Sequence, residues 1–575
     1  MKLDEYGMGL CMDKCIKIWA DHPPGQACRG IYGLNCRPVY AMLYNKQTYF
    51  RYIFYIHIRP VASPQTRAEM KEENKMRVIM FDIDTLRADH MGCYGYGRNT
   101  TPVIDSIARE GVRFDDYYCP NAPCLPSRAS MISGQYGIHN GIVGHGGTAA
   151  DMRLQGRSRS FTDELSENGL FMQFRRAGMH TVSFSTFAER HSAWWFNAGF
   201  NECVNVGRRG GESAEMVTPK VLEWLERNGK EDNWMMHVHY WDPHTPYRTP
   251  LDYENSFEGT PMPDDWITEE IFQEHLLHIG PHGANEINMW NDHSFAHLPK
   301  HPGSLKTLEE ARRFLNSYDD GIRYTDDNIG KIMDWMKENG LYDDDLAIII
   351  TADHGEDLGE FGVYAEHGMA DDPVCRIPLI VRWPGMRRGA VVKGFHDNTD
   401  LAPTVQELLG TSMATWDGFR YDGVSFAKAL KDGTDCSRPY AVLTQCAHVC
   451  QRSVRFDDYI YIRTIHGGYH LLPEEMLFHV KDDPHELHNL APERPDLCAR
   501  GAKMILDWTE QMMKSSRSDT DPMWTVMREG GPEHCRGELR RYMDRIDGTP
   551  RAYGIPLLEE QYGTPGPKNG FQSYL

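Results

Sequence analysis

The chain has 575 residues, 41% apolar and 25% charged, an ordinary globular balance that excludes a disordered or fibrous chain and predicts three to four units at ~150 residues each. Its formal charge of −21 argues against a nucleic-acid binder, whose affinity comes mainly from Lys and Arg on phosphates. An anionic substrate would need local positive charge, which a bound metal ion can supply.

Residues 1–75 show no clear period and end in a Lys/Glu run at 71–75. Eleven Lys and Arg against seven Asp and Glu give them a net charge of +4 and leave −25 on the other 500 residues. They read as an upstream extension outside the fold. The segment 1–18 mixes charges with apolar residues, unlike a signal peptide, and no run of ~18 uncharged apolar residues follows, so no membrane span and a cytoplasmic location are expected. The apolar run at 77–84 predicts a buried strand; 102–111 predicts a helix, with Pro at its start and Gly at its end. Helices are expected at 125–132, 161–176, 215–228, 305–339 and 401–409, and strands at 179–184, 234–240, 346–351 and 378–383. This alternation indicates an α/β fold: a large, mostly parallel sheet flanked by helices over 76–440. After about residue 440 the pattern changes to an alternating segment at 454–465 and a helix at 495–513, a smaller C-terminal α+β subdomain with a tail over 441–575. Fourteen cysteines are too sparse for a disulfide scaffold, and the CxxxC pairs Cys11/Cys15 and Cys446/Cys450 lack partners at zinc spacing.

Three clusters carry chemistry: Asp82-Ile83-Asp84 at the end of the first strand, Cys124-Leu125-Pro126-Ser127-Arg128 at a helix start, and Asp353-His354-Gly355-Glu356 past the strand at 346–351. Open α/β sheets bind ligands outside the carboxyl ends of their strands, where both acidic clusters fall. Asp82 and Asp84, at i and i+2, share a strand face. Carboxylates there suit calcium or magnesium, and an added imidazole widens the choice to manganese. Alone, each cluster is ordinary. A single Asp at a strand end is usually a loop or cap residue, and a lone Cys124 a small buried apolar group.

Taken together they resemble a known family. Cys124-Leu125-Pro126-Ser127-Arg128 with Met131-Ile132-Ser133-Gly134 is similar to the sulfatase signature C-x-P-S-R-x-x-L-x-T-G. Asp84 to Gly95 resembles the family's first metal motif, and Asp353-His354-Gly355-Glu356 with Leu358-Gly359 its second, in the same order. Asp483-Pro484-His485-Glu486 with Asn489-Leu490-Ala491 matches a segment often seen near the end of family members, so the resemblance spans about residues 76–495. It implies an alkaline-phosphatase-like sulfatase in which a separate maturation enzyme oxidises Cys124 to formylglycine. The hydrate of that aldehyde attacks the sulfur of a sulfate ester, aided by a divalent ion, Ca2+ first and Mn2+ or Mg2+ next. Asp82, Asp84, Asp353, His354 and the residue at Cys124 are the implied metal set. Many family members carry adjacent Asp-Asp where this chain has Asp84-Thr85. A nucleophile at a helix N-terminus lies near free N–H groups and the positive dipole end, and Arg128, one turn on, can stabilise the hydrate.

The resemblance also shows departures. His244, in Asp242-Pro243-His244-Thr245-Pro246, matches the family's H-x-P histidine and is expected to contact sulfate or protonate the leaving alcohol. The G-K-W-H segment is absent; Ser185 to His191 stands in its place, with His191 and Arg190 as candidate substitutes. The second active-site Lys is also missing, and His367 of Ala365-Glu366-His367-Gly368 is the candidate there. Trp194, Trp195 and Phe196 read as core, with stacking on sugar faces as the functional alternative. His139 and His145, in the glycine-rich 137–147 stretch, are candidate pocket residues, and Arg452, Arg455 and His466 candidate substrate readers. The expected substrate is a sulfated carbohydrate. The alternatives are a phosphonate or phosphate-ester hydrolase on the same scaffold and a non-catalytic glycan-binding protein.

Overall fold

Seven consecutive buried residues, Arg77–Ile83, form β1 at the centre of the larger sheet. The structure is a computed structural model that describes residues 75–155, 164–413 and 419–563. The expected extension at 1–75, apart from Lys75, lies outside the described residues. With β2 (Val112–Phe114), β3 (His180–Phe184), β4 (Glu202–Val204), β5 (Trp234–Tyr240), β6 (Leu346–Thr351), β7 (Leu379–Arg382) and β8 (Ala390–Val392), β1 builds an eight-stranded sheet in the order β8-β2-β7-β6-β1-β5-β3-β4. All pairs are parallel except those of β7, which runs antiparallel to both β2 and β6. β1, β5 and β6 are buried at every position, which is why they read as continuous apolar runs. Burying each of Ile348, Ile349 and Ile350 contributes ~1.5–3 kcal/mol, enough to hold β6 inside the sheet.

The smaller sheet consists of β9 (Ala441–Gln445), β10 (Cys450–Phe456), β11 (Tyr459–His466) and β12 (Glu475–His479), with Asn121–Ala122 pairing beside β9. The alternating 454–465 segment is thus a hairpin rather than one strand. Asp457, with φ of 49°, and Asp458 make its turn, because Asp tolerates the left-handed region. The helix expected at 161–176 is two helices, Glu164–Asn168 and Leu170–Arg176, broken at extended Gly169; residues 161–163 lie outside the described residues. The other principal helices are α1 (Pro102–Glu110), α2 (Cys124–Ser133), α3 (Ala214–Asn228), α4 (Leu308–Glu338) and α5 (Pro495–Ser515). Among the described residues no helix is long and apolar enough to cross a membrane.

Two helices position the site. All ten residues of α2 are buried, and Gly134, at φ of 65°, ends it in the left-handed conformation. α4 starts where the Thr307 side chain accepts from the Glu310 N–H. Tyr318 on α4 accepts from the Arg87 N–H at 3.0 Å and donates to Thr85 O at 2.7 Å, fixing the loop after β1. Gly321 on α4 lies against the loop after β5: a Cβ there would stand 2.7 Å from Asp242 O. Gly321→Ala is expected to cost about 1–3 kcal/mol and to lower turnover by displacing His244. Urea unfolding and kcat measured together check this, and an unchanged unfolding midpoint would refute the close contact.

Candidate active site

β1 register places Asp82 beside His239 of β5 and Thr351 of β6, so residues far apart in sequence meet at the carboxyl end of the sheet. Asp82 and Asp84 are fully buried there, joined by Asp353 and His354 just past β6. Cys124, the first residue of α2, is 1% exposed. The start of α2 is tied to the β6 loop, because Ser127 Oγ donates to Asp353 O at 2.5 Å and Asn398 Nδ2 donates to Ser127 Oγ at 2.9 Å.

Arg128 is the hub. Nε and Nη2 donate to the two Asp82 oxygens at 2.9 and 3.0 Å, and Nη1 donates to Asp84 Oδ2 at 3.1 Å and to Asp353 Oδ2. His239 Nε2 lies 2.8 Å from Nη2, and the guanidinium sits over the Phe187 ring at 4.7 Å. Asp82 therefore spends both oxygens on Arg128, with His237 Nε2 3.3 Å away. Asp84 keeps Oδ1 buried and unpartnered. One donor atom each from Asp84, Cys124, Asp353 and His354 lies within 4.8 Å of the others, and Asp82 is not part of that group. An orphaned carboxylate oxygen beside a second carboxylate, an imidazole and a sulfur is a donor set that fits a divalent cation.

The groups around Cys124 Sγ are histidines. His354 Nε2 is 3.2 Å away, one donor atom each of His244 and His367 lies within 4.8 Å of the sulfur, and His145 and His191 stand close enough to act on it electrostatically. Burial opposes the thiolate, but His354 and the neighbouring His145, His191 and His244 hold the thiol well below its usual range. Burial likewise pushes Asp82 and Asp84 up. The Arg128 guanidinium with His237 beside Asp82, and Arg128 with His244 beside Asp84, nevertheless hold both below the ordinary carboxylate range. Burial lowers His367 and His354, but Glu366 beside the first and Asp353 beside the second raise them above the ordinary histidine range. Glu356 is fully buried, with its carboxyl pushed up by burial, 3.7 Å from His367 Nδ1. This arrangement brings a helix-start cysteine, several imidazoles and a donor set that fits a cation into one buried cluster.

Of the expected residues, Cys124, Arg128, His191, His244, His367, Asp84, Asp353 and His354 converge here, and Asp82 joins them through Arg128. Arg190 lies over the Trp241 ring at 5.1 Å, and Trp241 packs on His239 and His244. Trp195 and Phe196 are core, whereas Trp194 is 57% exposed. Arg455 does not come to the cluster: it pairs with Asp372 at 2.9 Å and caps Tyr459 O, because β10 carries its side chain into the subdomain packing. Arg452 pairs with Asp521, and His139 with Asp422 and Met512 O, while His466 stacks on Tyr562. Of the loop residues offered as pocket candidates, His145 is at the sulfur. Sequence reasoning missed His237, His239 and Asn398. For His237 and His239, the i, i+2 spacing on a strand ending beside Asp82 and Asp84 was an available signal.

Comparison with known proteins agrees with this geometry. The family model described as Sulfatase matches residues 77–411, more than half of the chain. The N-acetylglucosamine-6-O-sulfatase of Bacteroides thetaiotaomicron is 24% identical over 532 residues, covering 82% of this chain and 91% of that protein. The multifunctional alkaline phosphatase superfamily protein PehA of Trinickia caryophylli is 25% identical over 504 residues, covering 76% and 95%. Among solved structures, the phosphonate monoester hydrolase of Agrobacterium radiobacter shares the fold with a TM-score of 0.58 at 20% identity, covering 76% of this chain and 96% of that one. A match that begins at the first residue of β1 and spans all three motif clusters assigns the chain: it belongs to the sulfatase family of sulfuric ester hydrolases.

Proposed function

We propose that the protein hydrolyses a sulfate ester on a sulfated carbohydrate, from a formylglycine made at Cys124 by a separate maturation enzyme. The observation that carries this is Cys124 at the first position of a buried helix, its sulfur within 4.8 Å of donor atoms from Asp84, Asp353 and His354. Relatives named for N-acetylglucosamine-6-sulfate and for ulvan support a saccharide. Formylglycine would supply a gem-diol nucleophile in place of the thiol. Asp84, Asp353, His354 and the oxygen at position 124 would hold a divalent cation, calcium first, whose chemistry is Lewis-acid polarisation of the sulfate.

The chain's own residues do the rest. Around Arg128 stand three carboxylates, Asp82, Asp84 and Asp353, so the site is negative before sulfate arrives, and a cation is needed to balance it. Arg128 orients Asp84 and Asp353 by holding their inner oxygens. His367, raised above the ordinary histidine range beside Glu366, and His191 are offered in place of the cations that the family uses, as donors to the anion. His244 Nε2, 3.9 Å from Asp84 Oδ1, is placed to protonate the departing alcohol oxygen. Burial of the whole cluster excludes bulk water and strengthens these charges.

Mass spectrometry of the Cys124 peptide from a maturase-containing host is expected to show –CHO in place of –CH2SH, and an unmodified thiol at full activity would sink the reading. Chelation is expected to abolish turnover, with CaCl2 restoring it; full turnover after exhaustive chelation would remove the cation from the reaction. The second reading is a phosphonate or phosphate-ester hydrolase at the same residues, favoured by the likeness to the multifunctional alkaline phosphatase superfamily protein PehA. Turnover of an aryl sulfate is expected to exceed that of the matched aryl phosphonate, and the reverse order would select the second reading. Saccharide binding with no sulfate release would instead leave a glycan-binding protein.

A further inference from the structure

A second group of metal-type side chains lies beside the sulfur cluster, linked to it by Glu366 through His367. His282 comes from the loop before α4, Glu366 from the strand Tyr364–Glu366, and His448 from the turn between β9 and β10. Their donor atoms lie within 4.8 Å of one another, and all three residues are buried. Glu366 Oε2 is 3.0 Å from His282 Nε2, and Glu366 Oε1 is 3.2 Å from His448 Nε2.

The hydrogen-bond bookkeeping at His282 decides what belongs between them. Its Nδ1 is 2.9 Å from Ile287 O, and a carbonyl can only accept, so Nδ1 carries the proton. In the neutral ring Nε2 is then a bare lone pair. That atom is buried and makes no hydrogen bond, yet it faces a carboxylate oxygen, itself a pure acceptor. Two lone pairs at that distance repel unless a cation stands between them. A ring N–H fixed on a backbone carbonyl is also the usual outer support of a metal-bound histidine. His448 is held flat against His534, with ring centroids 4.1 Å apart and planes 10° apart, and His534 is braced by His145 at 3.1 Å. His282 itself sits at φ of 57° and Ala365, next to Glu366, at φ of 52°, two non-glycine residues in the left-handed region that aim the ligands inward.

We infer that His282, Glu366 and His448 form a second metal site, separate from the one at Asp84 and Asp353, that takes zinc. Two imidazoles and one carboxylate are a zinc donor set, and the three leave a fourth tetrahedral position for water or a ligand oxygen. Calcium, which takes six to eight oxygens, is poorly served there. His367 lies between the two sites: its Nε2 is 3.0 Å from Glu366 Oε1 and its ring is 4.2 Å from that of His354. The inference does not depend on the substrate or on the aldehyde at Cys124.

The test uses the full chain carrying Cys124→Ser and Asp353→Asn, which disables the first donor set. The metal-stripped protein is dialysed against ZnCl2 or CaCl2, its metal content is measured by mass spectrometry, and its melting temperature is recorded with and without each salt. The expected result is one tightly held zinc and a raised melting temperature, both lost when His448→Ala or His282→Gln is added, with no such effect of CaCl2. The gentler His282→Gln keeps the test valid if His448→Ala does not fold. Zinc content and melting shift unchanged by both added substitutions, or calcium bound there in preference to zinc, would overturn the assignment.

Discussion

Cys124→Ala is expected to abolish sulfate-ester turnover, lowering kcat by at least about 10^4-fold, because removing a covalent nucleophile leaves only binding and electrostatics to act on the ester. The loss should be chemical, not structural. Cys124 is one small side chain at the start of α2, and that helix is held by Ser127 on Asp353 O and by Asn398, contacts the substitution leaves in place. The unfolding midpoint should therefore stay near that of the parent while the rate collapses. Steady-state assay of an aryl sulfate alongside thermal melting separates the two. A Cys124→Ala protein that keeps even a tenth of the parental rate would remove Cys124 from the chemistry.

Arg128→Met is expected to act on stability as strongly as Cys124→Ala acts on rate. The guanidinium is completely buried and answers Asp82, Asp84 and Asp353 together, so its removal strands three carboxylates in a dry interior. Breaking a buried ionic network from one side costs about 3–5 kcal/mol. The pH dependence has a definite sign. In the parent, Arg128 holds Asp82 and Asp84 below their unfolded value of about 3.9, so their contribution is present above that pH and lost as pH falls below it. Without Arg128, burial is opposed only by the neighbouring histidines His237, His239 and His244 and is expected to raise these carboxyls above the unfolded value, so Arg128→Met should regain stability as pH falls from 7 towards 5. Urea unfolding at pH 7 and pH 5 checks both statements, and a deficit that widens on acidification would contradict them. Asp82→Asn isolates one arm of the network. It loosens Arg128 but is expected to leave calcium binding intact, because Asp82 points both oxygens at the guanidinium, whereas Asp84→Asn should abolish binding.

What could be read from the residues follows the range over which their physics acts. β1, β5 and β6 are buried on both faces, and a strand with no solvent side is an unbroken apolar run, visible without a structure. α2 was legible because Cys124 to Arg128 is contiguous, and so was the Asp353-His354 pair just past β6. Gly169 and Asp457 were less so. A break inside an apolar pattern and a two-residue turn inside an alternating one change the backbone without changing the hydrophobic period.

The sequence by itself determined the α/β class, the place of Cys124 at a helix start and the acidic ends of β1 and β6, because each is carried by neighbouring residues under local rules of period and spacing. Only the tertiary structure decided which polar atoms are spent and which are free. Asp82, near the end of β1, and Asp84, just past it, are alike in sequence until Arg128, 46 and 44 residues away, takes both oxygens of one and leaves an oxygen of the other bare. The same holds for the imidazoles at Cys124 and for His282, Glu366 and His448. Apart from Glu366, the last residue of a three-residue strand, they sit in loops and turns with no period of their own and meet only because the sheets bring those segments together. Burial then gives these groups their energies: the same histidines and carboxylates in water would be solvated singly, and in the dry interior they must pair with one another or hold a cation.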